Sequence, residues 1–130
     1  MNYPIIPPPA KVPSVLFKEK ILYSYWLKLY RKISKPERFG IGERIDNLFL
    51  DILELTQEMR YSPSANKVSY IEKAITKIDK TKFLSEIAWE NKLVTTREYS
   101  EFLIQLETIG RELGGWKRGL IKTPAQKREK

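Results

Sequence analysis

Between Phe39 and Met59 apolar side chains recur at steps of three and four: Ile41, Ile45, Leu48, Ile52, Leu55 and Met59. That spacing places them on one face of an α-helix, with Glu43, Asp46, Asp51, Glu54 and Glu58 mostly turned away. A helix with such a stripe cannot stand alone in water and needs other helices to cover it. One further helical pattern precedes it and two follow, with no long connection between them. The pattern predicts an all-α fold, an antiparallel up-down-up-down four-helix bundle.

The first predicted helix runs from a Ser14 cap to about Ile33. Leu16, Ile21, Leu22, Tyr25, Trp26, Leu29, Tyr30 and Ile33 cover well over half of its circumference, while Lys20, Lys28 and Arg31 share the remaining side with Ser24 between them. A surface helix in a monomer needs an apolar arc of only about 100° or somewhat more. The surplus leads us to expect a subunit interface built on Tyr25, Trp26 and Tyr30. The plainer reading seats these amphipathic rings at the rim of their own core. Pro36 pushes Lys35 out of α geometry, so Ser34 to Gly40 reads as a turn.

The organising helix is expected to stop near Arg60, with Ser62 capping the next helix and Pro63 at its first position. That third helix runs to around Trp89 or Leu93. Val68, Ile71, Ala74, Ile75 and Ile78 form its stripe, flanked by Lys73, Lys77 and Lys80. Beyond Thr81, apolar residues cover nearly every direction: either the helix bends or its end is buried on two sides. Phe83 and Trp89 therefore join the interface candidates.

In the fourth helix Thr95 and Glu98 fit a capping box, with Val94 and Tyr99 as its hydrophobic staple. Tyr99, Phe102, Leu103, Leu106, Ile109 and Leu113 then face the core. Gly110 interrupts this stripe at a cost of up to about 1 kcal/mol, which a closely crossing neighbour would offset. Gly114-Gly115 reads as the helix end, with Trp116 folding back over the bundle. The layout is a proline-rich arm (1–13, holding five of the eight prolines), a bundle domain (14–116) and a basic, disordered tail (117–130).

With 130 residues, 42% hydrophobic and 31% charged, the chain is one globular domain. It has no cysteine and no histidine. Disulfides, thiol catalysis and thiolate metal sites are excluded, and so is the commonest neutral-pH proton shuttle. Asp51 and Glu54, or Glu54 and Glu58, are spaced to share a helix face, but helical metal bundles also recruit histidine. We expect no catalytic residue, no metal and no cofactor. The start, MNYPIIPPPAK, lacks the pattern of a signal peptide, and no apolar run approaches the roughly 20 residues of a membrane span. A cytoplasmic protein without membrane contact is the expectation.

The formal net charge of +8 points to an anionic partner. The charge is uneven: residues 11–38 hold eight basic and two acidic side chains, residues 39–60 two and five, residues 61–82 five and two, residues 83–110 two and five, and residues 111–130 seven and two. Helices one and three and the tail are positive; helices two and four are negative. Copies of the Lys20/Lys28/Arg31 or Lys73/Lys77/Lys80 face, gathered in an oligomer, would suit phosphate backbones. Ordinary solvated lysines are the plainer alternative.

The segment SKPERFGIGERI (Ser34 to Ile45) and the ending IGRELGGW (Ile109 to Trp116) resemble those of the small bacterial four-helix bundle proteins. That family includes the accessory variability determinant of diversity-generating retroelements and the proteins encoded in intervening sequences of 23S ribosomal RNA genes. The resemblance spans Val15 to Trp116. It implies a ring-like homopentamer with a basic surface. In the retroelement branch it also implies a non-catalytic partner of the reverse transcriptase that binds RNA or DNA during mutagenic copying. By position it carries over Arg38 and Arg44 near the start of helix two, and Arg111 and Lys117 around the ending, as contact candidates; Arg118 opens the basic tail beside them. The ribosomal-insertion branch, with a different and undefined role, is the alternative.

Overall fold

A computed structural model describes residues 14–129, with side chains described for residues 14–121. The proline-rich arm lies outside the described residues. Four long helices carry the fold: α1 (Ser14–Lys32), α2 (Glu43–Tyr61), α3 (Ser64–Glu90) and α4 (Thr96–Glu129). Among the described residues there is no strand, so the expected all-α bundle of four helices is what forms. The helices neighbour one another in chain order: α1 packs on α2 and α4, and α3 packs on α2 and α4. α1 and α3 therefore lie across the bundle from each other.

One buried line runs through each helix. On α1 it is Val15, Leu16, Glu19, Leu22, Trp26, Leu29 and then Ile33, at steps of three and four from Leu16 onward. On α2 it is Ile45, Leu48, Phe49, Ile52, Thr56 and Met59. The predicted stripe is present, but Phe49 and Thr56 are at its centre while Ile41 and Leu55 are only half-buried. Phe49 sits within 6.1 Å of Phe102 and Trp26 within 5.7 Å of Phe102, centroid to centroid, so three rings from three helices form the middle of the core.

The helix ends follow the predicted chemistry only in part. At α4 the capping box closes in both directions: the Glu98 amide donates to the Thr95 hydroxyl at 3.1 Å, and the Thr95 amide to the Glu98 carboxylate at 2.9 Å. Ser62 does not cap α3. Its hydroxyl donates to the Met59 carbonyl and closes α2, while Pro63 takes the cap position of α3 in extended geometry. α3 ends without glycine: Lys92 adopts a left-handed φ of 62°, the Leu93 amide reaches the Ala88 carbonyl, and the Lys92 amide reaches that of Trp89. These two bonds form a Schellman motif.

Two further expectations are corrected. Ser34 to Gly40 is not a simple turn: a short helix (Lys35–Glu37) and a wider helical turn (Arg38–Gly42) lead into α2, with the kink at Gly40. Gly42 is required there, because a Cβ would stand 2.8 Å from the Tyr30 ring. Nor does the chain stop at Gly114-Gly115. No glycine has positive φ, and α4 continues as helix to Glu129, through the expected tail. Leu106, Ile109, Leu113, Trp116 and Leu120 extend one apolar stripe past the two glycines and pack against the core. Tertiary burial outweighs the low helix propensity of glycine. Trp116 thus lies along the helix rather than folding back over its end.

Candidate nucleic-acid interface

α1 contains five cations and one carboxylate. That carboxylate, Glu19, is fully buried between α1 and α2, where the Thr56 hydroxyl donates to its Oε2 at 2.9 Å and Oε1 has no partner. Burial pushes its pKa up to about 8, against the smaller opposing pull of the Thr56 hydrogen bond. Around neutral pH the group is therefore largely protonated. α1 consequently turns no carboxylate towards solvent.

Two of its cations are neutralised along the seam with α4, Lys18 by Glu112 and Lys32 by Glu98. The Lys32 ammonium, then the Thr95 backbone, hold the Glu98 carboxyl below its ordinary value. Lys20, Lys28 and Arg31 are exposed and have no ion-pair partner among the described residues. At about 100° per residue they fall within one narrow arc, with Ser24 between them.

The other candidates divide. On α3, Lys80 is exposed and Lys73 stands 5.9 Å from the centre of the Tyr70 ring, whereas Lys77 is paired with Asp51 of α2 at 3.1 Å. Lys117 is paired with Glu72 at 3.1 Å. The Arg38 guanidinium donates to the carbonyls of Ile33 at 3.0 and 3.1 Å and of Arg31 at 3.3 Å. It satisfies the last carbonyls of α1 and holds the junction to α2. Arg118 lies back along α4 over Gly114 and Gly115. Arg44 is exposed at the start of α2, and Arg111, also exposed, donates to Thr108 at 3.4 Å. The fold thus leaves two free cation rows, on α1 and α3, and assigns Arg38, Lys77 and Lys117 to internal bonds.

The five aromatic interface candidates take different places in the fold. Trp26 is 1% exposed; its indole N–H donates to Asp46 at 3.1 Å, and its ring stacks on Tyr30. Asp46, which the pattern put on the polar face, also accepts the Tyr23 hydroxyl at 2.8 Å. Tyr30 donates to the Arg38 carbonyl, and Tyr25 to Glu101 at 3.0 Å. Burial first, and the Glu101 hydrogen bond second, push the Tyr25 pKa up to about 12. Trp89 stacks on Tyr99 at 5.0 Å and donates to Thr96. Each of these four rings has a hydrogen-bond partner within the chain; Trp26 is buried, while Tyr25, Tyr30 and Trp89 are half-buried. Phe83 alone of the five is exposed, at 61%.

The exposed apolar surface lies elsewhere. Phe17 is 61% exposed and Ile21 56%, both off the buried line of α1, and Ile104 on α4 is 58% exposed. Ile21 and Ile104 rim a groove of about 510 Å³ between α1 and α4, with Leu22 and Tyr25 in its lining. The step pattern through Leu22, Trp26, Leu29 and Ile33 was the available signal that Ile21 faces outward. Asp51 is held by Lys77, and Glu54 and Glu58 are exposed; among the described residues no three carboxylates gather as a metal site would need. No helix of the described residues is long and apolar enough to cross a membrane. No protein-family model matches the sequence, and no curated protein matches it.

Proposed function

We propose that this protein is a non-catalytic accessory subunit of a diversity-generating retroelement. It binds the reverse transcriptase and nucleic acid, template RNA or its complementary DNA, through the basic faces of a ring-like homo-oligomer. The observation that carries the reading is α1: a helix with three exposed cations that have no ion-pair partner among the described residues, and whose single carboxylate is withdrawn into the core. Such a face attracts phosphates without repelling them and carries little to read base sequence.

The rest of the molecule supports this reading. The partners of Lys18, Tyr25 and Lys32 on α4 are Glu112, Glu101 and Glu98, in descending order. This favours α1 and α4 running antiparallel, as an up-down-up-down bundle requires. The apolar groove at Ile21 and Ile104 offers a surface that a second copy can cover. The number five, and the reverse transcriptase as partner, rest on the resemblance of the Ser34 to Ile45 and Ile109 to Trp116 segments.

The test is binding of labelled RNA and DNA to the full chain at about 50 and about 200 mM salt. Replacing Lys20, Lys28 and Arg31 by glutamine is expected to weaken binding. It should also flatten the dependence on salt by about two in log–log slope, at roughly 0.7 per cation for single strands. Absence of binding at the lower salt overturns the nucleic-acid part. Light scattering that gives a monomer mass at every concentration overturns the oligomer. A reverse transcriptase gene with paired repeats is the expected genomic neighbour, and its absence favours the ribosomal-insertion alternative.

A further inference from the structure

We propose that the outer faces of α1 and α3 are tracks for single-stranded nucleic acid, with Phe17 and Phe83 as platforms on which unpaired bases stack. The inference rests on the nucleic-acid reading above and names the kind of strand that the site takes. Its starting point is a repeated arrangement. On α1, Phe17, Lys20, Ser24, Lys28 and Arg31 fall within about 80° of arc, and on α3, Lys73, Thr76, Lys80 and Phe83 do the same, at about 100° per residue. In each row the phenylalanine is separated by three residues from its nearest cation, a rise of about 4.5 Å. Both rings are 61% exposed. Both hydroxyl residues turn inward to their own helix, Ser24 to the Lys20 carbonyl and Thr76 to the Glu72 carbonyl. On α1 this leaves the cations and the ring as the groups the row presents; on α3 the exposed Glu72, Asp79 and Glu86 border the row, Glu72 paired with Lys117 and Asp79 with Lys82.

Charge complementarity with phosphate explains the cations, and any polyanion would satisfy them. The rings select further. In a duplex the base faces are covered by their neighbours, so a phenyl ring lying outside the grooves meets only sugar and phosphate. In a single strand the base faces are open, and aromatic stacking on them tolerates any sequence. Phe39 and Tyr61 are slightly more exposed, but Phe39 lies within the α1–α2 junction and Tyr61 at the end of α2, outside either cation row. Because α1 and α3 lie across the bundle from one another, one subunit carries two such tracks on opposite sides.

The experiment compares a labelled single-stranded oligouridylate or oligothymidylate with a duplex of the same length, using fluorescence anisotropy on the full chain and on Phe17→Ala, Phe83→Ala and the double variant. The wild-type protein is expected to prefer the single strand. Each alanine should weaken single-strand binding by about tenfold while leaving duplex binding and the salt slope unchanged. Lys20→Gln and Lys28→Gln should lower both affinities and the slope. Equal loss for strand and duplex in the alanine variants, or no loss, overturns the stacking role while the lysine effects keep the nucleic-acid reading intact. No binding by the wild-type protein at low salt overturns both. A drop in oligomer mass on Phe17→Ala places that ring in a subunit contact and overturns its assignment.

Discussion

α1 and α3 carry similar cation rows on their outer sides and differ on the inside. The buried face of α3 is built largely of small residues, Ala74, Thr81, Ser85 and Ala88 beside Ile71 and Ile78. The buried face of α1 is large: Leu16, Leu22, Trp26, Leu29 and Ile33. α3 accordingly meets α2 and α4 far more extensively than α1 does. α1 is held at arm's length by bulky rings, by the two hydrogen bonds on Asp46, by the Glu19–Thr56 contact and by ion pairs to α4. Side-chain size at the contact sets interhelical distance. The looser helix is also the one that leaves an apolar groove beside it and the greater number of free cations.

The contrast can be broken most forcefully at Trp26. Trp26→Ala removes the ring that spaces α1 from its neighbours and orphans one acceptor position of Asp46. We expect a loss of about 3–5 kcal/mol in urea unfolding; a loss below 1 kcal/mol would mean that α1 contributes little to the core.

Next in size is the pH dependence of stability. Glu19 has its folded pKa raised from 4.5 to about 8, so the folded state holds a proton that the unfolded chain releases. Its contribution is fully present below about pH 4.5, falls as pH rises at roughly 1.4 kcal/mol per unit, and is lost once pH passes about 8. Glu19→Gln keeps the acceptor for Thr56 and cannot ionise. Its stability should match the parent protein at low pH, exceed it by a few kcal/mol above pH 8, and vary much less between. Parallel profiles for parent and variant would show that Glu19 does not carry this effect.

The other side of the comparison is tested by making α3 large. Ala88 lines a void of only about 10 Å³ with Trp26, Leu29, Ile45 and Phe102. Ala88→Leu should overpack it and cost about 1–3 kcal/mol by thermal unfolding. The smallest effect is expected at Gly110, where an added methyl would meet Ile78 at an ordinary 3.9 Å. α3 does not cross there closely enough to require glycine, which corrects the expected reason for it. Gly110→Ala should stabilise the protein by up to about 1 kcal/mol, and a loss of stability would mean that the α3–α4 contact is tighter than this distance.

Much of this was legible along the chain. The stripes of α2 and α4 announced themselves because large aliphatics at helical spacing have few other uses. The Thr95/Glu98 cap was readable because both halves of its hydrogen-bond pair lie within four residues. The cation rows on α1 and α3 were visible for the same reason of spacing. Misreadings came where a local signal competed with distant packing. Gly114-Gly115 lost to the stripe that continues through Trp116 and Leu120. Trp26 of α1 looked like surplus because the group it bonds, Asp46, comes from another segment. Glu19 passed unnoticed because a charged residue on an apolar line is recognised only once Thr56 is seen opposite it.

What the sequence determined by itself is periodic: four amphipathic helices, where their oily sides lie, and which helices carry excess positive charge. Those follow from geometry repeated every 3.6 residues and require no knowledge of neighbours. Which cations remain free, which rings are used up inside, and where the uncovered apolar surface lies were decided only by tertiary structure. A lysine is neutralised, or a tryptophan satisfied, by a group many residues away, and only the packed helices bring the two within reach.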